Sequence, residues 1–185
     1  MECTQGICSY SRTFVPGSGP LPSPLLLIGE NPGARELESG VPFTGPAGKV
    51  LDFCLATAGL DRSQCYITNM ACCADLKRDI RRPTPGEIAA CWPRLLAEIT
   101  ACQPKVIVCF GNTPQNEFLP GIKITGARGK FRAWKHPLAG SIIPVMSTYH
   151  PSFTLHSPAS GARQLIIEDL RLVGEYLTNE GLHGR

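Results

Sequence analysis

Two polar segments of the sequence carry residue types that could bind or react with a small ligand. The first is rich in glycine and proline, GENPG at 29–33 followed by GVPFTGPAG at 40–48, and its rigid turns would expose backbone N–H groups. Such a segment suits a flat ligand or a phosphate, but it could also be a loop without a ligand. Phe43 within it could stack on a base or fill the core. In the second segment, STYHPSF at 147–153, a proline follows His150 and favours an extended backbone with a fixed ring, in either a structural or a chemical role.

Nine cysteines offer a different chemistry. The number is odd and no secretory signal is evident, so a disulfide framework is a poor interpretation. Four cysteines lie in or beside apolar patterns, where we expect them to pack in the core as small hydrophobic residues. These are Cys54, Cys65, Cys102 and Cys109.

Four other cysteines lie in polar or turn-rich surroundings, where burial in a hydrophobic core is less expected. These are Cys3, Cys8, Cys73 and Cys91. Four thiolates suit either zinc or an iron–sulfur cluster. Their spacing alone does not choose between these metals, and four unrelated thiols remain an alternative.

The composition is typical of a folded domain with a modest charge. The chain has 185 residues, of which 43% are hydrophobic and 18% are charged, and its formal net charge is +3. That charge permits nucleic-acid binding but does not argue for it, because a basic patch would form only if folding brought the scattered basic residues onto one face. No apolar run approaches the roughly 20 residues of a transmembrane helix, and the N-terminus has no signal-peptide core. We therefore expect a cytoplasmic protein that does not bind membranes.

Short apolar runs alternate with helical patterns along the chain. Four runs are bounded by turn residues and are typical of buried parallel strands. They cover residues 24–29, 65–69, 105–111 and 141–148. Helices are predicted over 47–59, 84–101 and 161–177. Thr84 and Glu87 form a capping-box pattern at the start of the second helix, with Pro85 at its first position.

Polar residues follow each predicted strand. Glu30 and Asn31 follow the first strand, Asn69 closes the second, Thr113 comes after the third, and His150 follows the fourth. Alternating strands and helices predict an α/β domain with a parallel sheet. Ligands in such folds bind beyond the carboxyl ends of the strands, so we expect these polar residues to converge on one rim.

Five motifs, taken in order and spacing, resemble those of the family 4 uracil-DNA glycosylases. They are GENPGARELESGVPFTGPAGKVLD, YITNMACC, RRPTPGEIAACWPRLLAEITACQPKVIVCFGNT, ITGARGKF and STYHPSF. The match covers about residues 24–156, and CSYSR at 8–12 extends it toward the N-terminus. The resemblance implies one domain over residues 1–185 with a three-layer α/β/α fold around a central four-stranded parallel sheet. It also implies a 4Fe-4S cluster held by cysteines, in an enzyme that flips uracil out of DNA.

The resemblance assigns roles to the pocket residues. Gly29 and Glu30 would line the uracil and water site, and Phe43 would stack on the flipped base. Asn69 would read the uracil edge, because an amide can donate to O4 and accept from N3–H. His150 would stabilise negative charge on uracil O2 as the glycosidic bond breaks.

Residues 152–156 are similar to the loop that enters the duplex, with Ser152 and Leu155 as candidate DNA contacts. In the basic segment GARGKFR, Arg128 and Lys130 are expected to contact phosphates, although they could also lie on a solvated surface. The cluster ligands implied by the resemblance are Cys8, Cys73, Cys91 and, as the fourth, Cys3.

The chain departs from the family pattern at two places. Asn31 stands third in GExPG, where a small apolar residue is usual, and we hypothesise that Asn31 positions the attacking water with Glu30 assisting. This change also leaves open activity on deaminated purines. Four residues separate Cys3 from Cys8, which is longer than the common family spacing, so Cys3 is the least supported ligand. Cys72 is an alternative to Cys73.

The resemblance favours a monofunctional glycosylase that acts as a monomer on single- or double-stranded DNA containing uracil and leaves an abasic site. The basic loop at 77–82 lacks the histidine with which a related enzyme attaches covalently to DNA, so we expect ordinary turnover. One alternative is a non-catalytic DNA-binding module on the same scaffold, which should have lost several pocket residues. Another is a metal-dependent nucleotide hydrolase, which needs carboxylates at the strand ends, where only Glu30 qualifies.

Overall fold

The computed structural model of the protein describes residues 13–74 and 82–183, and in the second stretch the side chains up to residue 179. Its strands are β1 (Thr13–Phe14), β2 (Leu25–Gly29), β3 (Cys65–Asn69), β4 (Cys73–Ala74), β5 (Val106–Phe110), β6 (Arg132–Lys135) and β7 (Ile142–Thr148). Five of them form the central sheet in the order β3-β2-β5-β7-β6. The four apolar runs are confirmed as its parallel strands.

The expected number of four strands is one too low, because β6 adds a fifth strand antiparallel to β7. Its sequence, RAWK, alternates half-buried and exposed side chains and contains two cations. An edge strand needs no continuous apolar run, since only one of its sides is paired and part of its surface faces water. The pattern that identifies buried parallel strands therefore missed it.

Helices cover both faces of the sheet. They are α1 (Ala34–Ser39), α2 (Pro46–Thr57), α3 (Pro85–Cys102), α4 (Asn112–Phe118), α5 (Ile124–Ala127), α6 (Phe153–His156) and α7 (Ala162–His183), with short 3-10 turns at Arg62–Gln64 and Pro158–Ser160. The predicted capping box of α3 is confirmed: the Thr84 hydroxyl accepts from Glu87 N–H at 3.3 Å, and the Glu87 carboxylate accepts from Thr84 N–H at 2.7 Å. None of the described helices has the length and apolar character that crossing a membrane requires.

Alternate side chains of the central strands enter two different cores. On one face, Leu27 and Val108 pack with residues of α2 and α7. On the other face, Leu26 and Ile107 pack with residues of α3 and α4, so the chain forms a three-layer α/β/α structure as predicted. Successive strand residues point to opposite faces, which is why a sheet covered on both sides needs unbroken apolar strands.

The four cysteines expected in the core are buried there, with exposed fractions of 2% or less. Burial raises the pKa of the Cys54 thiol to about 11 and that of the Cys65 thiol to about 12. These thiols are therefore protonated and unreactive at neutral pH, and they pack as small apolar groups.

A short ribbon brings the N-terminal part of the described chain beside Cys73. β1 pairs antiparallel with β4, which places Phe14 opposite Cys73, and Val15 N–H donates to the Cys72 carbonyl at 2.8 Å. Cys73 and Cys91 are buried, with exposed fractions of 7% and 4%. The expectation that burial in a core is harder for these two cysteines was therefore wrong, because Cys73 lies in the β1–β4 ribbon and Cys91 occupies a buried position of α3.

Candidate active site

A cavity of about 990 Å³ opens at the carboxyl ends of the parallel strands. Its walls come from the segments after β2, β3, β5 and β7, which confirms that the polar residues following these strands meet at one rim. The lining includes Glu30, Asn31, Phe43, Asn69, Asn112, His150, Ser152 and Leu155. The sequence prediction thus located the pocket, whereas the role of each residue stays a prediction.

Gly29 allows the aromatic ring and the amide at the floor of the cavity to approach each other. It pairs in register with Asn69 across β2 and β3. A β-carbon at Gly29 would collide with the Asn69 Oδ1 atom and would lie 2.7 Å from the Phe43 ring. Only glycine leaves room for both groups here, because contacts below 3.0 Å force something to move.

The amide of Asn69 faces the cavity without a competing partner. The residue is only 3% exposed, and in the part of the chain that the structure describes no protein group is hydrogen-bonded to its side chain. A buried amide normally finds partners, because leaving it unpaired costs free energy. Asn69 is therefore arranged to accept and donate hydrogen bonds to a ligand in the cavity.

Phe43 is held in an unusual backbone conformation. Its φ angle is 55°, and the Arg62 guanidinium donates to the carbonyl oxygens of Pro42 at 3.0 Å and of Phe43 at 3.1 Å. An aromatic residue rarely adopts this left-handed conformation unless its surroundings impose it, and such strain is common at ligand sites. Gly48 adds to the constraint, since a β-carbon there would collide with the Phe43 carbonyl. No pattern in the sequence indicates this role of Arg62, because it lies twenty residues from Pro42, whose carbonyl it binds.

The ring of His150 is neutral, with its proton on the nitrogen that is available to a ligand. Nδ1 accepts from Ser152 N–H at 3.1 Å, and the Ser152 hydroxyl lies 2.8 Å from it. A backbone N–H can only donate, so Nδ1 is unprotonated and Nε2 carries the hydrogen. Burial lowers the pKa of His150 from 6.5 to about 4. No described protein group is hydrogen-bonded to Nε2.

The carboxylate of Glu30 is fixed at the rim by two neighbours. Thr113 donates its hydroxyl to Glu30 Oε2 at 2.5 Å, and Arg82 Nε lies 3.8 Å from Oε1. Asn31 follows directly and lines the same cavity, with its Nδ2 donating to the Pro32 carbonyl at 3.3 Å. The position of Thr113 after a strand marked it as a rim residue in the sequence, but not as the partner of Glu30.

The segment after His150 forms the short helix α6 at the mouth of the cavity. Two apolar side chains stand out from it: Phe153 is 42% exposed and Leu155 is 43% exposed. Phe153 stacks on Tyr149 with 5.6 Å between the ring centroids. Exposed apolar residues at the mouth of a cavity are typical of a surface that contacts a partner. The arrangement agrees with a segment that enters a duplex, although it does not test that role.

The two basic residues expected to contact DNA have different surroundings. The Arg128 guanidinium pairs with the buried carboxylate of Asp169 at 2.9 Å and donates to the Leu165 carbonyl at 3.1 Å. Its charge is thus already balanced inside the fold. Asp169, on α7, also accepts a hydrogen bond from the Thr148 hydroxyl at the end of β7, so these side chains connect α7 with β7. Lys130 is exposed. A phosphate contact stays a prediction for both residues.

Only part of the predicted cysteine set lies in the described residues. Cys73 and Cys91 are buried in neighbouring segments, whereas Cys3 and Cys8 lie outside the described residues, as does most of the basic loop at 77–82. Desolvation by burial raises the pKa of the Cys72 thiol to about 12, and Glu98 and Cys91 add smaller contributions. Cys91, on α3, therefore lies close to that thiol. Within the residues described, no group of three or more potential ligands is arranged to hold a metal ion.

Comparison with known proteins agrees with this architecture. The family model of the uracil DNA glycosylase superfamily matches residues 16–171. The chain belongs to this superfamily. It is 36% identical to the type-4 uracil-DNA glycosylase of Thermotoga maritima, over 97% of this chain and 92% of that protein, and 33% identical to the type-4 enzyme of Archaeoglobus fulgidus, over 95% and 88%. The crystal structure of Pedobacter heparinus SMUG2 has a similar fold, with a TM-score of 0.52 and 14% identity over 85% of this chain and 76% of that one.

The neutral ring of His150 predicts a specific pH dependence of stability. The unfolded chain binds a proton at this residue near pH 6.5, whereas the folded protein binds it only near pH 4, so the folded state loses stability as the pH falls between these values. We expect the ring resonances of His150 to titrate with a midpoint near 4 in NMR spectra. The His150→Gln variant should lose less stability over this range, whereas His156→Gln, which changes an exposed histidine, should behave as the wild type does. A midpoint near 6.5 would contradict the assignment.

Gly29→Ala should damage the cavity without unfolding the protein. The added methyl group must displace Asn69 or Phe43, and misplacing a group that positions a substrate can cost about a hundredfold in rate. We expect single-turnover base excision to fall by about that factor. Gly174→Ala is a matched control, since its β-carbon would make only an ordinary contact, 3.5 Å from Leu60. Equal activities of the two variants would show that the close approach at Gly29 is unimportant.

Proposed function

We infer that this chain is a uracil-DNA glycosylase of base excision repair, which hydrolyses the N-glycosidic bond of uracil in DNA and leaves an abasic site. The observation that carries the inference is the amide of Asn69, which has no hydrogen-bond partner among the described residues and faces a cavity also lined by Phe43 and His150. A type-4 uracil-DNA glycosylase that is 36% identical over almost the whole chain supports the same substrate.

Asn69 selects the base in this proposal. Its amide N–H donates to uracil O4 and its carbonyl accepts from N3–H, whereas cytosine presents the opposite pattern at both positions. A site built to hydrogen-bond one pattern discriminates strongly, because the wrong base leaves buried polar groups unpaired. Phe43 supplies a flat surface, and stacking on an aromatic ring contributes about 1–3 kcal/mol toward the cost of flipping the base.

His150 stabilises the departing uracil. Bond cleavage leaves an oxocarbenium-like sugar and a uracil anion whose charge develops on O2. The Nε2–H group of a neutral, preoriented imidazole can donate a hydrogen bond to that oxygen, and the hydrogen bonds between Nδ1 and Ser152 fix the direction of the ring. A donor of this kind typically contributes about 2.7–4 kcal/mol of transition-state stabilisation.

Asn31 and Glu30 present the attacking water to the sugar. The Glu30 carboxylate is held by Thr113 and can accept a proton as the water attacks, while Asn31 lines the cavity beside it and can orient the water. The fixed position of the carboxylate supports this division of roles, since a general base must lie within hydrogen-bond reach of its proton.

DNA is the partner that this reaction requires. The exposed apolar side chains Phe153 and Leu155 at the cavity mouth are suited to fill the space left by the flipped nucleotide. Ser152 and Lys130 would contact the strand nearby. We further propose that the protein acts as a monomer in the cytoplasm and accepts single- or double-stranded substrates.

A non-catalytic DNA-binding module is less well supported, because the complete set of Asn31, Phe43, Asn69 and His150 surrounds the cavity. A metal-dependent hydrolase would need several carboxylates at the rim. Among the described residues that line the cavity, the carboxylates are Glu30 and Glu36, and Glu36 is committed to the backbone N–H of Gly45 at 2.9 Å. Neither alternative is favoured by a specific contact.

A 4Fe-4S cluster is part of the proposal. Thiolates are the usual ligands of such clusters, and the described candidates, Cys73 and Cys91, are buried in adjoining segments. Phe14, which pairs with Cys73, follows Cys8 by six residues in the sequence, and this short separation supports Cys8 and Cys3 as the remaining ligands. When bound, the cluster would join the N-terminal segment, the segment after β3 and α3, in a structural rather than a chemical role.

One assay tests the proposed activity. Oligonucleotides that contain a single uracil, hypoxanthine or xanthine are incubated with the protein and cleaved with alkali at abasic sites. We expect cleavage at uracil, and a rate lower by about a hundredfold to a thousandfold in His150→Ala. Leu138→Ala, which changes an exposed residue in the β6–β7 connection, should retain the wild-type rate. Absence of cleavage in all three substrates would exclude the enzyme function, and full activity of Asn31→Ala would exclude its role with water.

Metal analysis of cysteine variants tests the cluster. Cys8→Ser, Cys73→Ser and Cys91→Ser should each lower the iron and sulfide content of the purified protein, because serine is a poor ligand for these clusters. Cys54→Ala, in the core, should keep the full content and serves as the control. Parallel measurements on Cys3→Ser test the fourth ligand, and those on Cys72→Ser test whether Cys72 takes the place of Cys73. A full complement of iron in Cys91→Ser would contradict the assignment.

A further inference from the structure

The side chain of Arg94, on α3, contacts three successive residues at the end of β3. Its Nη1 atom donates to the Thr68 hydroxyl at 3.1 Å, and its Nη2 atom donates to the carbonyl oxygens of Asn69 at 2.6 Å and Met70 at 3.2 Å. The side chain is only 12% exposed. These contacts lie behind the cavity, and Arg94 is not part of its lining.

The same backbone segment is held from the opposite side by β2 and the residue after it. Met70 N–H donates to the Gly29 carbonyl at 3.0 Å, and Ala71 N–H donates to the Glu30 carbonyl at 3.1 Å. The peptide group between Asn69 and Met70 is therefore bound at its oxygen by Arg94 and at its nitrogen by Gly29. The peptide group between Met70 and Ala71 is bound at its oxygen by Arg94 and at its nitrogen by the Glu30 carbonyl. These bonds leave the segment after Asn69 little freedom to rotate.

Glu98 completes the arrangement one turn further along α3. Its carboxylate lies 2.5 Å from Arg94 Nη1, and its side chain is 10% exposed. The pair balances a charge that would be costly to bury alone. Arginine suits this position better than lysine, because its planar fork can reach several acceptors at fixed angles.

We propose that Arg94 is a positioning residue for base recognition, which fixes the direction of the Asn69 amide by binding the Thr68 hydroxyl before it and the main-chain carbonyl oxygens of Asn69 and Met70 after it. This inference rests on the proposed function, in which Asn69 reads the uracil edge. Arg94 contacts no substrate and acts only through Asn69. Because Cys91 lies one turn earlier on α3, the same helix also connects the proposed cluster to the base-reading residue.

A double-mutant cycle with Asn69 tests the proposal. The variant Arg94→Met/Glu98→Met removes the pair without leaving an unpaired buried charge, a replacement that proteins often tolerate. It is combined with wild-type Asn69 and with Asn69→Ala. Single-turnover uracil excision, binding of free uracil by calorimetry and binding of DNA that already contains an abasic site are measured for each protein, together with thermal unfolding.

We expect the double replacement to slow excision and to weaken free-uracil binding by about tenfold or more, while the affinity for abasic DNA stays within about twofold. In the Asn69→Ala background the replacement should have no further effect, because neighbouring residues that act as a unit are not additive. Arg94→Lys should fall between the wild type and the double variant, and it provides the same cycle if the double variant does not fold.

An equal loss in both backgrounds, or no loss in either, would overturn the positioning role. A wild-type protein that excises nothing would instead contradict the proposed function. Free-uracil binding separates these results, since it reports on Asn69 whether or not the bond is broken.

Discussion

Two main-chain hydrogen bonds extend the pairing of β2 and β3 beyond the ends of these strands. Met70 N–H donates to the Gly29 carbonyl and Ala71 N–H to the Glu30 carbonyl, so the segments that leave the sheet stay side by side instead of diverging. Glu30 and Asn69, which both line the cavity, are thereby carried on adjoining main chains. Two further contacts act on this aligned frame: the Thr113 hydroxyl holds the Glu30 carboxylate, and Arg94 binds the main-chain carbonyl oxygen of Asn69.

The sheet and the rim could be predicted from the sequence because both follow from local patterns. Strands covered on both faces must be apolar throughout, and β3 was identified at its observed limits from this property alone. The capping box at Thr84 is equally local, since its partners lie three residues apart. Parallel strands share a common carboxyl edge, so the polar residues after them had to meet.

Features that depend on pairing or side-chain contacts, and not on a local residue pattern, could not be predicted in this way. The edge strand β6 is stabilised by its pairing with β7 and has no apolar run of its own. Arg62 and Arg94 donate to backbone carbonyl oxygens. Because every residue has such an oxygen, the sequence does not indicate which ones an arginine will bind. The burial of Cys73 depends on β1, a strand of two residues that is recognisable only from its partner.

The β1–β4 ribbon also constrains the order in which the chain can fold during its synthesis. Phe14 emerges from the ribosome early, but its partner Cys73 follows only after the first two strands of the parallel sheet. Pairings between such distant residues form late, because a long loop must close before the contact stabilises it. β1 must therefore wait, unpaired, while β2 and β3 are made, so a strand that is synthesised before both of them reaches its final place after them.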